Sequence, residues 1–174
     1  MKDTILKQMQ SESKQTIIGV MGSGESDINQ YRLAYDLGKL IAKEGWILLN
    51  GGRNCGVMDA SAKGAKENGG LTIGILPDTH TDHVSPWIDI PILTGMGIAR
   101  NAINVLSSNY VVACSGGTGT ISEVAMALKM NRKVIMLGWP AGKFFFQFGE
   151  VHYSDTPEQA IEYIRQCIQF NNRI

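Results

Sequence analysis

From Thr16 onward, short apolar runs alternate with longer stretches whose apolar residues recur at helical spacing. Residues 16–21 read as a first strand, broken by Gly22-Ser23-Gly24. Leu33, Leu37, Leu40 and Ile41 then fall on one helical face, and Gly45 closes that helix. Residues 46–50 are a second strand, Gly51-Gly52-Arg53-Asn54-Cys55-Gly56 a second glycine turn, and residues 57–68 a second helix. Gly69-Gly70 leads into a strand over residues 71–76. After an irregular stretch at 77–86, the pattern predicts a short strand at 89–92, a helix over 96–107 and a strand over 110–114. Ile121, Val124, Ala125 and Leu128 mark the next helix, and residues 133–137 one more strand. The last helix carries Thr156 as cap, Pro157 at the first helical position and Gln159 three residues after the cap, with Ile161, Ile164 and Ile168 as its apolar face.

Strands alternating with helices across short connections predict an α/β fold. Its form is a doubly wound parallel sheet with helices on both faces, in a single domain. In such sheets the ligand lies beyond the carboxyl ends of the strands. Three glycine turns follow strand ends: Gly22-Ser23-Gly24, Gly51-Gly52, and Ser115-Gly116-Gly117-Thr118-Gly119-Thr120. All three should line one edge. The third is the most informative, because its glycines admit close backbone approach and it opens a helix whose first N–H groups lack partners. Its natural occupant is a small phosphate-bearing anion. The pattern is neither the dinucleotide fingerprint, since no glycine follows Gly24 at the required spacing, nor a Walker loop, since no Gly-Lys-Ser/Thr occurs.

Composition narrows the class. A chain of 174 residues suits one domain with its own core, and 16 basic against 16 acidic residues leave no net charge. Without a basic block or a long apolar run, neither a nucleic-acid surface nor a membrane span is indicated. Cys55, Cys114 and Cys167 are odd in number and widely spaced, which argues for a reducing compartment and against a disulfide framework. Residues 1–15 read as a flexible polar arm without a signal core, ahead of a domain over 16–174, and the expected location is cytoplasmic.

Among chemistry-bearing residues, Arg100 stands alone in a small, apolar run, and Glu123 lies one turn into the helix after the third glycine turn. Separately each is ordinary, the one a surface arginine, the other a first-turn carboxylate favoured by the helix dipole. Together they place a phosphate clamp and a carboxylate at one cleft. Arg53 and Asn54 in the second turn are further candidates for the same ligand. The run Asp78 to His83 holds metal-capable side chains without the spacing of a metal site, so no metal is assigned to it. The run Phe144-Phe145-Phe146 reads as packing or as an oligomer face.

Three segments, Gly51 to Met58, Gly95 to Asn101 and Ser115 to Glu123, resemble the Lonely Guy-like superfamily over nearly the whole chain from Thr16. That superfamily includes cytokinin-activating phosphoribohydrolases and molybdenum cofactor carrier proteins, and the resemblance implies a Rossmann-like fold. Where the hydrolases carry proline before the glycines and lysine after the arginine, this chain has Ser115 and Asn101, while Arg100 and Glu123 match. The Ala99-Arg100-Asn101 form, the Gly116 to Thr120 loop and Gly74 to Pro77 look more like the carrier branch. That branch implies a non-catalytic protein which holds molybdenum cofactor as cargo. The implied contacts are Gly22, Ser23, Gly24, Gly51, Gly52, Arg53, Asn54, Arg100, Ser115, Gly116, Gly117, Thr118, Gly119, Thr120 and Glu123. The alternative is a hydrolase cleaving the N-glycosidic bond of a nucleoside monophosphate, with Arg100 and Glu123 as its polar pair. A nucleotide-sensing domain is a third reading. The resemblance also implies a homodimer or homotetramer, and molybdenum enzymes or cofactor-synthesis proteins as partners.

Overall fold

The computed structural model describes residues 15–171, so the arm expected over residues 1–15 lies, but for Gln15, outside the described residues. Seven strands form one sheet: β1 (Ile17–Met21), β2 (Ile47–Asn50), β3 (Thr72–Leu76), β4 (Ile90–Leu93), β5 (Tyr110–Ala113), β6 (Lys133–Leu137) and β7 (Val151–Ser154). Every pairing is parallel, in the order β4-β3-β2-β1-β5-β6-β7. The chain builds outward from β1 to β4, then returns to the other side of β1 with β5. The order therefore reverses between β1 and β5, and a crevice opens there at the strands' carboxyl ends.

Both faces of the sheet are covered, as the near-continuous apolar strands require. On one face α1 (Ile28–Lys43), α2 (Gly56–Glu67) and α5 (Pro157–Asn171) pack over Ile18, Val20, Leu48, Val112 and Ile135. On the other, α3 (Asn101–Leu106) and α4 (Thr118–Lys129) pack over Met21, Val111, Ala113, Val134 and Met136. The alternation Ile18, Val20 against Met21, and Val112 against Val111, Ala113, is the period of a strand buried on both sides. Among the described residues no helix is long and apolar enough to cross a membrane.

Local chemistry fixes the ends of these elements. Asp27 caps α1 by accepting from the Asn29 and Gln30 N–H groups at 2.9 Å. For α5, Thr156 Oγ1 accepts from Gln159 N at 3.4 Å, and Gln159 Oε1 accepts from Asp155 N at 2.8 Å. The capping signature is therefore present, with its return bond one residue earlier than the standard box. The single helix expected over 96–107 is divided: a 3-10 turn, Gly97–Arg100, precedes α3. A second 3-10 segment, Pro140–Phe148, and β7 complete the chain between β6 and α5.

Candidate functional site

The three glycine turns meet at the β1/β5 crevice. Ser23 N donates to Ser115 O at 3.3 Å, and Val57 N donates to Ser23 O at 2.9 Å, so the first turn is bonded to both others. Glycine is needed for that closeness. A Cβ on Gly56, where φ is +53°, would fall 2.2 Å from Ser23 O; one on Gly116 would fall 2.2 Å from Thr120 Oγ1. Gly117 differs, since a Cβ there would meet nothing within 4 Å, and on Gly119 only Asn101 Nδ2 at 4.0 Å. These two glycines face open space, where a ligand rather than the protein would touch them.

That space is a cavity of about 270 Å³. Gly22, Ser23, Gly24 and Gly51 line one wall, and Gly117, Thr118, Gly119 and Thr120 the other. Arg100 and Glu123 close the floor together with Met58 and Asn101. α4 begins at Thr118 with glycine as its cap and no acidic residue in its first turn. Its first intrahelical bond runs from Ile121 N to Gly117 O, which leaves the N–H groups of Thr118, Gly119 and Thr120 without helical partners. Three convergent donors at a positive dipole end suit an anion.

Arg100 makes the strongest demand for that anion. Its side chain is 11% exposed, with Glu123 Oε1 at 3.7 Å from Nη1. No hydrogen bond from its guanidinium to another described residue is formed, and the buried Nε has no partner. The group is braced against Gly51, where a Cβ would fall 2.6 Å from Nη2. A buried guanidinium with unused donors is costly unless an anion completes it. Burial pulls the Arg100 pKa down from its ordinary value, and Glu123 opposes that pull. Burial likewise raises Glu123, against the lowering effect of Asn104 and Arg100. Asn104 Nδ2 donates to Glu123 Oε1 at 2.8 Å, so that carboxylate oxygen is already engaged.

The remaining sequence candidates stand behind the cavity wall. Gly52 (φ +75°) turns against Leu76 and Gly74, and Gly116 packs on Thr120. Ser115 serves through its carbonyl, and Asn54 N donates to His83 O at 2.9 Å. Arg53 Nη2 donates to both carboxylate oxygens of Asp78, at 3.0 and 2.9 Å, and neither residue lines the cavity. Asn101, Asn104 and Met58 were not among the candidates. Asn104 lies four residues after Arg100 on the same helical face, a spacing that could have found it; Met58 carries no such signal. Of the Asp78 to His83 run, His80 Nδ1 lies 3.3 Å from Asp82 Oδ2. No group of three or more His, Cys, Asp or Glu able to hold a metal occurs among the described residues.

The family model described as SLOG cluster4 family matches residues 15–161, which span all three glycine turns. The chain belongs to the SLOG cluster4 family. The molybdenum cofactor binding protein of the phototrophic bacterium Rippkaea orientalis is 49% identical to this SLOG cluster4 member, with a TM-score of 0.86 over 90% of this chain and 99% of that one. The Moco carrier protein of Chlamydomonas reinhardtii is 50% identical, with a TM-score of 0.83 over the same shares. A cytokinin riboside 5'-monophosphate phosphoribohydrolase of Mycobacterium marinum is 29% identical over 64% of each chain.

Proposed function

We propose that this SLOG cluster4 protein is a carrier that holds molybdenum cofactor as cargo without converting it, and that it works in the cytoplasm. The observation that carries this reading is Arg100, buried on the same cavity as three free N–H groups of α4 and hydrogen-bonded to no described residue, with Glu123 as its ion-pair partner at 3.7 Å, at a cleft whose Gly117 and Gly119 face open space. The cofactor's terminal phosphate matches that donor set, and its pterin is the part left for Met58 and the rims of the glycine turns. Half-identity to carrier proteins along nearly the whole chain supports the same cargo.

Hydrolysis of a nucleoside monophosphate is the second reading, favoured by the adjacency of Arg100 and Glu123 at 3.7 Å. Two features weigh against it. Asn104 occupies Glu123 Oε1, and Asn101 offers an amide, bonded to Ser122 Oγ at 3.3 Å, in place of a mobile cation. Incubating the protein with molybdenum cofactor and, in parallel, with AMP separates the two. Cofactor retained through gel filtration with no adenine released is the expected result; steady adenine release, lost in Glu123→Ala, would overturn it.

The assembly we infer is a homodimer or homotetramer. Ile121, Ala125 and Leu128 on α4, with Phe144, Phe145 and Phe148 of the second 3-10 segment, line an apolar groove of about 750 Å³. Phe144 is 62% and Phe148 58% exposed, the kind of surface a second copy covers. Molybdenum enzymes or cofactor-synthesis proteins are the partners for delivery and loading.

A further inference from the structure

We propose that Asn104 is a positioning residue of the anion site, holding the Glu123 carboxylate off Arg100 so that the guanidinium stays open to a ligand. This rests on the anion cleft of the carrier reading and names what keeps that cleft unlocked. Asn104 is fully buried on α3 and does not itself line the cavity. Its Nδ2 donates to Glu123 Oε1 at 2.8 Å, while Arg100 Nη1 stops 3.7 Å from the same oxygen. One carboxylate oxygen thus has two donors near it, and the neutral amide holds it.

A buried carboxylate beside a buried guanidinium has every reason to close on it, because a charge-assisted bond of about 2.7–2.9 Å is roughly twice as strong as a neutral one. Here the gap is held from both sides. Arg100 lies on the backbone of Gly51, where a Cβ would fall 2.6 Å from Nη2 and 2.8 Å from Nη1. Glu123 is tied to α3 through Asn104. The amide is a poor choice for packing alone, since its Oδ1 is buried without a hydrogen-bond partner among the described residues. An apolar side chain would fill the same space without that orphan. What the amide adds is the Nδ2 bond, and its effect falls on Glu123 and, through it, on Arg100.

The arrangement has a consequence in pH. Facing Glu123 are Arg100 from the 3-10 turn and Asn104 from α3, and both favour its ionised form against burial. Arg53 and Asp78 act on Arg100 in opposite senses. Without Asn104, Glu123 has two states: ionised and bonded to Arg100, or neutral and apart from it. An anion on Arg100 selects the second. Binding then takes up a proton and weakens as pH rises. In the wild type the ionised carboxylate has a partner other than Arg100, so affinity changes less above pH 7.

The test is calorimetric titration with sulfate at pH 7 and pH 8, for the wild type, Asn104→Leu, Asn104→Ser, and Asn104→Leu combined with Glu123→Gln. Asn104→Leu should weaken sulfate binding by about tenfold or more at pH 8, and by less at pH 7. Asn104→Ser, which cannot overpack the site, should show a smaller loss in the same sense. Adding Glu123→Gln should bring affinity back to within about twofold of the wild type at both pH values, because the competing carboxylate is gone. A purely structural Asn104 predicts a double variant that binds no better than Asn104→Leu, and that result overturns the proposal. Wild-type affinity in both Asn104→Leu and Asn104→Ser also overturns it, and either outcome leaves the carrier reading intact. A wild type that binds no sulfate overturns the anion cleft itself, and cofactor retention through gel filtration then decides the carrier reading separately.

Discussion

At the scale of single residues, the site is governed by two buried charges that do not satisfy one another. Arg100 Nη1 stops 3.7 Å from Glu123 Oε1, beyond hydrogen-bond range. Removing one member of a buried ion pair leaves the other charge uncompensated, at a cost of about 3–5 kcal/mol, whereas replacing both with apolar groups of similar volume is often neutral or stabilising. Arg100→Met should therefore lower the thermal midpoint, Arg100→Met with Glu123→Leu should recover most of that loss, and both variants should bind phosphate about tenfold or more weakly; calorimetry reads midpoint and affinity. Glu123 carries a second prediction. Burial raises its pKa, so as pH falls through that raised range it becomes neutral while the anion site stays cationic. Sulfate, which keeps its charge in this range, should bind more tightly at pH 5 than at pH 7, and Glu123→Gln should flatten that dependence. A wild type as flat as the variant would remove Glu123 from the electrostatics of the site. The cysteines belong to a different class: Cys114 is buried and its thiol is pushed up to about 12, so it contributes packing and no nucleophile at neutral pH.

At the scale of elements, glycines separate into those the fold needs and those the ligand needs. A Cβ on Gly64 would fall 2.0 Å from Tyr35 O and one on Gly38 2.0 Å from Ser61 O, so α1 and α2 touch backbone to backbone. Gly64→Ala should cost about 1–3 kcal/mol, seen as a lower thermal midpoint, as overpacking predicts. Gly117→Ala should leave that midpoint unchanged and weaken phosphate binding, because its Cβ would enter only the open cleft. If Gly117→Ala unfolds the protein instead, the turn is structural and the cleft reading loses its main support. Much of this was legible beforehand. Short apolar runs placed β1 to β6 within a residue or two of their observed ends, and the glycine turns after β1, β2 and β5 marked the cleft, because those signals are local. The division at Arg100 was not legible, since a 3-10 turn and an α-helix share nearly the same apolar spacing. β7 was missed because four residues after an aromatic 3-10 segment carry too short a pattern. Ile121, Val124, Ala125 and Leu128 share one apolar face by spacing, yet Val124 is buried in the core, Leu128 packs partly against it, and Ile121, 43% exposed, lines the open groove with Ala125 and Leu128. Sequence spacing gives an apolar face, and only tertiary placement says what covers it.

For the whole molecule, that uncovered face sets the last expectation. α4 joins two functions along one axis: its N-terminal turn, Thr118 to Thr120, lines the anion cleft, and the next residue, Ile121, begins the apolar groove. We propose that a copy seated on Ile121, Phe144 and Phe148, one residue along α4 from the turn that lines the cleft, limits the access of solvent to bound cargo. Burying such side chains is worth about 1.5–3 kcal/mol each, enough for a few of them to hold an interface. A charge placed in the groove should remove that gain without touching the cleft floor. Phe148→Glu should shift light-scattering mass after gel filtration from a dimer or tetramer to the monomer, with the circular dichroism spectrum preserved. Phosphate affinity should stay near that of the wild type, because Arg100 and the α4 N–H groups belong to one chain. Bound molybdenum cofactor, however, should be lost to air oxidation faster in the variant than in the assembled protein. An unchanged mass would place the interface elsewhere, with the exposed edge strand β4 and its Ile90, Ile92 and Leu93 as the next surface to charge.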